Sequence, residues 1–284
     1  MEWVLYRIGI FLSNIFSRRR SYGIASFLGL LQFWFSFSDR RAVLENMRVI
    51  LKDKSKEEIH RKAQQVFVNF AKYLVDFFRL KHLNLDFVKR YVEIRNREIL
   101  DSLMVKTGII IVTAHIGNWE LGGAVAALLG YPLYAIALPH KNKNVNLFFD
   151  EQRKHFGVGI IPVGVAVRRC FSLLKKKKMV AFLGDRDFLG GGIEVEFLGE
   201  KAYLPLGAAV FSYRTLAPIV PSFFIRKKDD SFFLVFEKPI YPVDKEGRLR
   251  SEYEIMRNYL GVIEKYIRKY PEQWYMFQPF WKKV

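Results

Sequence analysis

The segment Thr113-Ala114-His115-Ile116-Gly117-Asn118-Trp119-Glu120 sets a histidine and a glutamate five residues apart. A carboxylate bound to one imidazole nitrogen fixes the tautomer and leaves the other nitrogen to act as a base. With no nucleophile beside it, such a pair is the base half of a catalytic triad, suited to activating a hydroxyl that a substrate supplies. Residues 109–112 form a β-branched apolar run entered from Gly108, and a helical pattern begins at Leu121. Ligands of open α/β sheets bind beyond the carboxyl ends of strands, which is where His115 falls. Gly117 lets the loop fold back, Glu120 lies near the first turn of the helix, and Asn118 is a candidate donor beside the pair.

Other candidate chemistry is weaker. His60, His82, His115, His140 and His155 lack metal-ligand spacing such as His-Glu-x-x-His, so no metal is expected. Cys170, the single cysteine, lies in an apolar stretch and reads as core packing rather than as a nucleophile. Gly190-Gly191-Gly192 lacks the spacing of a phosphate or dinucleotide loop and reads as a flexible turn or lid.

The elements that must position His115 alternate. Ser55 and Glu58 have capping-box spacing ahead of a helix whose apolar positions run Ile59, Ala63, Val66, Phe67, Phe70, Leu74, Phe77 and Phe78. After Arg79 the pattern turns to strand-like pieces. Strands are expected at 109–112, 133–138, 179–183, 219–225 and 232–236, with helices at 121–129, 148–156, 167–174, 205–213 and 252–269. That order implies an α/β fold with a mixed, largely parallel central sheet flanked by helices.

The amino terminus reads differently. One apolar stretch, 8–17, ends at Arg18-Arg19-Arg20, and a second, 21–37, ends at Asp39-Arg40-Arg41. Three arginines after the first stretch do not fit a signal-peptide cleavage site. The second is short for a bilayer span, carries a small or polar stripe at Ser26, Gly29, Gln32 and Ser36, and has arginines at both ends. An interfacial helix is expected, with Phe33, Trp34 and Phe35 in the membrane and Arg18, Arg19 and Arg20 on anionic headgroups. The chain then divides into a membrane-associated helical segment, 1–45, and one α/β domain, 46–284.

Composition narrows the classes. The 284 residues include 46 Lys plus Arg against 28 Asp plus Glu, a formal charge of +18, and 16% are aromatic. Disorder is excluded by the aromatics, a disulfide scaffold by the lone cysteine, and a polytopic membrane protein by the lack of serial apolar spans. The charge calls for an anionic partner. Nucleic acid is one such partner, but the basic residues are dispersed and no recognition motif is visible, so nucleic-acid binding is not expected. Lys175 to Lys178 form a basic run.

Segment 113–120 resembles the His-x-x-x-x-Glu signature of the lipid A biosynthesis (late) acyltransferases, within the lysophospholipid and glycerolipid acyltransferase superfamily. Further blocks follow in family order: Asp39-Arg40-Arg41-Ala42-Val43 with Asn46-Met47; Pro139-His140-Lys141-Asn142-Lys143 with Arg153 and Gly157; Gly184-Asp185-Arg186-Asp187 with Gly191, Gly192, Phe197 and Gly199; Pro218-Ile219-Val220-Pro221; and Pro271-Glu272-Gln273-Trp274. The set covers nearly the whole chain. The glycerolipid branch has His-x-x-x-x-Asp and a Glu-Gly-Thr-Arg block; Glu120 and Gly184-Asp185-Arg186 here favour the lipid A branch. The family's terminal His-Arg-Arg is replaced by Phe277-Gln278-Pro279-Phe280-Trp281.

The resemblance implies an O-acyltransferase with a glycerolipid acyltransferase-like fold, in which residues 46–284 are the acyltransferase domain. An acyl chain would pass from a thioester of acyl carrier protein or coenzyme A, the only co-substrate expected, to a hydroxyl of a lipid or glycolipid. A lipid A precursor is the expected acceptor; lysophospholipids and phosphatidylinositol mannosides are alternatives. His115 would be the general base and Glu120 its orienting partner, with Arg153 and Arg186 as oxyanion or phosphate contacts. Asp185 would orient an arginine or touch the acceptor. The implied location is the cytoplasmic face of a bacterial inner membrane.

Overall fold

A computed structural model describes residues 2–139, 141–187 and 190–281, so His140 of the second sequence block lies outside the described residues. In chain order the elements begin with α1 (Glu2–Ile15), α2 (Arg18–Phe35), α3 (Phe37–Ile50), α4 (Lys56–Phe78), α5 (Leu85–Tyr91), β1 (Val92–Arg95) and α6 (Arg97–Met104). They continue with β2 (Ile109–Thr113), α7 (Trp119–Leu128), β3 (Leu133–Ala137), α8 (Lys143–His155), β4 (Gly159–Pro162), α9 (Ala166–Lys175) and β5 (Met179–Leu183). The chain then forms β6 (Ile193–Phe197), β7 (Glu200–Leu204), α10 (Gly207–Thr215), β8 (Ile219–Arg226), β9 (Phe232–Phe236) and α11 (Glu252–Lys269).

Among the described residues, seven strands form one sheet in the order β1-β9-β8-β2-β5-β3-β4. Each adjacent pair is parallel except β8 with β9. The mixed, largely parallel sheet read from the sequence is therefore present. The apolar run of β2 is central and buried, as a strand covered on both faces must be. β6 and β7 form a separate hairpin. The segment after Arg79 is more helical than its pattern suggests: the Asn84 side chain accepts from the Phe87 amide at 2.8 Å and starts α5.

The amino-terminal helices pack on α4. Ser21, Tyr22, Ala25, Gly29 and Phe33 form the buried face of α2. A Cβ on Gly29 would stand 2.8 Å from the Phe67 carbonyl oxygen, so Gly29 of the small or polar stripe is a close helix–helix contact, while Gln32 is exposed. Two membrane expectations are thereby corrected. Phe33 is 0% exposed and meets Phe67 edge-on, with ring centroids 5.3 Å apart. Arg18 is drawn inward, its guanidinium 4.5 Å from the Tyr91 ring centroid and its Nε donating to the Tyr22 hydroxyl at 2.8 Å.

Trp34 at 51% and Phe35 at 74% are exposed, as are Arg19 and Arg20. Val4, Leu5, Ile8 and Phe11 of α1 and Phe27 and Leu28 of α2 extend this exposed apolar surface. Among the described residues, no helix is long and apolar enough to cross a membrane. The boundary expected between residues 45 and 46 falls inside α3, where the Asn46 amide donates to the Met276 and Gln278 carbonyls and accepts from the Phe280 amide.

Candidate active site

Two parallel strands deliver the central pair. In the β2–β5 ladder Thr113 stands opposite Leu183, and the Gly184 amide donates to the Thr113 carbonyl at 2.8 Å. Two residues beyond each of these positions lie His115 and Asp185. The equal offset brings them together: His115 Nδ1 is 2.8 Å from Asp185 Oδ1. Facing a carboxylate, Nδ1 carries the proton and donates, which makes Nε2 the basic nitrogen. The His115 main-chain amide and Trp274 Nε1 both donate to Asp185 Oδ2 at 2.9 Å. Asp185 is fully buried, which by itself raises a carboxyl pKa. The charge and hydrogen bonds of His115, with the Trp274 donor, outweigh that burial and hold it below the usual range.

The expected partner of His115 was Glu120. The carboxylate on Nδ1 is instead that of Asp185, and Glu120 receives a two-pronged contact from Arg153, Nε to Oε2 at 3.1 Å and Nη2 to Oε1 at 2.5 Å. The local backbone explains the split. Gly117 has φ of +66°, and a Cβ there would lie 2.1 Å from the Phe224 carbonyl oxygen, so the chain turns sharply before α7 begins at Trp119. Glu120 then leaves from the first turn of α7 toward Arg153 on α8. Arg153 is also within 3.6 Å of Asp150. Burial pulls its guanidinium pKa down, but Glu120 outweighs that and raises it.

The Glu120–Arg153 pair borders an apolar cavity of about 90 Å³ with walls of Thr113, Trp119, Gly123, Leu133 and Phe182. A second hollow of about 70 Å³ shares Thr113, Trp119, Gly123 and Leu133, and reaches Phe224 and Phe236 between α7 and the sheet. Gly122 is required by packing, since its Cβ would meet Phe224 Cβ at 2.7 Å; Gly123 is not, its nearest neighbour being Leu133 Cδ2 at 3.7 Å.

Asn118 is not turned toward a substrate. It is buried, its side-chain oxygen accepts from the Leu121 amide at 3.0 Å to cap α7, and its Nδ2 donates to Asp76 Oδ2 at 3.2 Å. Arg186 adjoins Asp185 in sequence and donates to Gln278 Oε1 at 2.6 Å; burial lowers its pKa, against the pull of Asp185. Cys170 is buried in the core, with its thiol pushed up to about 11, far from a reactive thiolate. Among the described residues no group of three or more His, Cys, Asp or Glu side chains converges to hold a metal.

The block Pro271-Glu272-Gln273-Trp274 proves to be the clamp on the histidine loop. The Gly117 amide donates to the Gln273 carbonyl at 2.9 Å, and the Tyr275 amide to the His115 carbonyl at 2.8 Å. The Gln273 side chain pairs with the Arg226 main chain at 2.8 and 3.0 Å. Trp274 was not singled out as a site residue. Its signal in the sequence was an indole beside Pro and Gln after the last amphipathic helix, which fixes neither its partner nor its depth.

The chain is 22% identical over 218 residues to a phosphatidylinositol mannoside acyltransferase of Mycolicibacterium smegmatis, covering 75% of this chain and 70% of that protein. It is 23% identical over 221 residues to a phosphatidylinositol mannoside acyltransferase of Mycobacterium tuberculosis, covering 75% and 68%. Among solved structures, the 1-acyl-sn-glycerophosphate acyltransferase PlsC of Thermotoga maritima aligns with a TM-score of 0.41 and 14% identity over 91% of this chain and 99% of that one. Matched from residue 1 to residue 283 by the family described as bacterial lipid A biosynthesis acyltransferase, the chain belongs to that acyltransferase family.

Proposed function

We propose that the protein moves a fatty acyl chain from a thioester to a hydroxyl of a membrane glycolipid, with a lipid A precursor as acceptor. The observation that carries this is the His115–Asp185 pair at the carboxyl edge of β2 and β5, with Trp119 between the His115 ring, 5.1 Å away by ring centroids, and an apolar cavity that Trp119 lines. His115 Nε2 takes the proton of the acceptor hydroxyl as its oxygen attacks the thioester carbonyl carbon. Asp185 holds the imidazolium that forms. The tetrahedral oxyanion collapses, the carbon–sulfur bond breaks, and the leaving thiolate takes the proton back from His115. General-base help of this kind is worth roughly 10²–10⁴ in rate.

Arg186, next to Asp185, is the donor we assign to the oxyanion or to a substrate phosphate. Glu120 and Arg153 close the mouth of the cavity that takes the first methylenes of the acyl chain. The exposed apolar residues of α1 and α2, with Arg19 and Arg20, hold the site at an anionic membrane surface. The donor carrier is acyl carrier protein or coenzyme A; a basic surface that includes Lys175 to Lys178 suits an acidic carrier.

A second reading takes a phosphatidylinositol mannoside as acceptor. It is favoured by the names of the two mycobacterial relatives. One assay decides. Labelled acyl carrier protein and acyl-coenzyme A are each offered, in detergent micelles, with a tetra-acylated lipid A precursor, lysophospholipids and a phosphatidylinositol mannoside. Product with the lipid A precursor that disappears in His115→Ala is expected. Product only with the mannoside replaces the acceptor, and product that persists in His115→Ala removes the mechanism.

A further inference from the structure

A polar pocket without His115 on its walls lies where the end of α4 meets α5 and the first residue of α2. Its volume is about 170 Å³, and Arg18, Asp76, Arg79, His82, Phe87 and Tyr91 are among its walls. Arg18, Arg79 and Asp76 on its walls join a larger charged group through Arg226, Lys72 and Asp230 behind them. Arg226 pairs with Asp76, Lys72 lies 2.9 Å from Asp230, and Arg226 lies 3.6 Å from Asp230. Arg18 has only a 3.9 Å approach to Asp76, and Arg79 has no carboxylate partner among the described residues. Partly buried charge without a counter-charge is costly, and the surplus here is positive.

The donors left over point the same way. Arg79 Nη1 donates to the Ser13 and Phe16 carbonyls at the carboxyl end of α1, while its Nε and Nη2 have no hydrogen-bond partner among the described residues. The His82 Nε2 faces Asn14 Oδ1 at 2.9 Å and donates to it, which leaves Nδ1 as the second ring nitrogen at the rim. Burial, Arg79 and Lys81 all work against a charge on His82, in that order. A planar guanidinium fork with an imidazole beside it matches the oxygens of a phosphate.

We infer that the pocket between Arg18, Arg79 and His82 binds a phosphate group, supplied by the headgroup of a membrane lipid. The lipid source follows from position. Arg18 on its wall is the first residue of α2, and Arg79 on its wall holds the Ser13 and Phe16 carbonyls at the end of α1; these two helices carry exposed Ile8, Phe11, Phe27 and Leu28, and exposed Arg19 and Arg20 follow Arg18. A lipid whose chains meet those side chains presents its phosphate at this level. None of His115, Asp185, Glu120 and Arg153 is among its walls, and its test reads binding rather than turnover.

Two measurements test it on the full chain. In the first, the unaltered protein, labelled at its histidine rings, is titrated with sodium phosphate at constant ionic strength with chloride as reference; His82→Gln identifies the signal. A saturable shift with phosphate, together with a rise in the His82 pKa, is expected, because an anion offsets the neighbouring cations. A response no larger than that to chloride overturns the site.

In the second, binding to phosphatidylcholine vesicles containing phosphatidylglycerol is compared for two variants that each remove two positive or potentially positive groups. Arg79→Gln/His82→Gln should lose roughly fivefold more affinity than Lys175→Gln/Lys176→Gln, about the effect of one well-placed basic residue. Glutamine at position 79 retains a donor for the Ser13 carbonyl. Equal losses in the two variants, with the phosphate shift intact, overturn the lipid source and assign the pocket to a soluble phosphate.

Discussion

Asp185→Asn tests the proposed base with little change of shape. The carboxylate has divided labour: Oδ2 takes two donors, the His115 amide and Trp274 Nε1, and Oδ1 takes the His115 ring. An asparagine can satisfy the first two only by placing its oxygen where Oδ2 is. Its NH2 then faces His115 Nδ1, which must become an acceptor. The ring proton moves to Nε2, the nitrogen that should accept the hydroxyl proton. The base is lost through the wrong tautomer, and the imidazolium loses its counter-charge. Turnover should fall by about 10²–10⁴, or ~2.7–5.4 kcal/mol at 1.36 kcal/mol per decade. The donor KM should stay within about threefold, since the amide removes a transition-state interaction rather than ground-state binding. The assay is initial-rate acyl transfer in micelles with product read by mass spectrometry, and circular dichroism as the check on folding. A folded Asp185→Asn enzyme turning over within about fivefold of wild type refutes the reasoning, because general-base loss cannot be that small. A larger loss of turnover in Glu120→Gln, with the fold intact, would return the orienting role to Glu120.

Four further outcomes are expected. Asp185 has its pKa depressed on folding, so its contribution to stability is present above the unfolded carboxyl value of about 3.9 and is lost as pH falls through the lower folded value. The stability gap between wild type and Asp185→Asn, measured by urea unfolding, should shrink as pH falls below about 4. Phe33→Ala should cost about 3–5 kcal/mol of stability, whereas Phe35→Asp should leave stability within about 0.5 kcal/mol and weaken vesicle pelleting. Unchanged pelleting in Phe35→Asp would remove that residue from the membrane surface. Gly123→Leu should shorten the acyl chain transferred, read by competition between acyl donors of different lengths, because its Cβ points past Leu133 into the apolar cavity.

The sheet was legible because its strands are short β-branched runs separated by helical periodicity, a pattern that burial on both faces demands. β2, β5, β8 and β9 fall within a residue of the positions read from the chain. What was not legible is register. Nothing in the spacing of 113–120 says that Leu183 lies opposite Thr113, and that alignment, not nearness in sequence, chooses Asp185 over Glu120 as the partner of His115. Phe33 misled for a related reason. A helix that ends on three successive aromatic residues, Phe33, Trp34 and Phe35, has no unique inner face until α4 is laid against its Gly29 side, and that contact buries Phe33 while leaving Phe35 outside.

The distribution of polar groups explains why the site needs both ends of the chain. Residues 274–281 have no strand partner beyond one bridge, Ile116 with Trp274, so other groups must satisfy their main chain. Asn46 of α3 takes the Met276 and Gln278 carbonyls and the Phe280 amide, and the His115 carbonyl takes the Tyr275 amide. With its backbone so held, the segment brings Trp274 Nε1 to Asp185 as well as Gln273 to β8. A buried carboxylate keeps its charge only when enough donors surround it, and one of the three on Asp185 reaches it by this route. His115 thus does most to keep Asp185 ionised, and packing between α3 and the segment 274–281 adds the third donor, Trp274 Nε1.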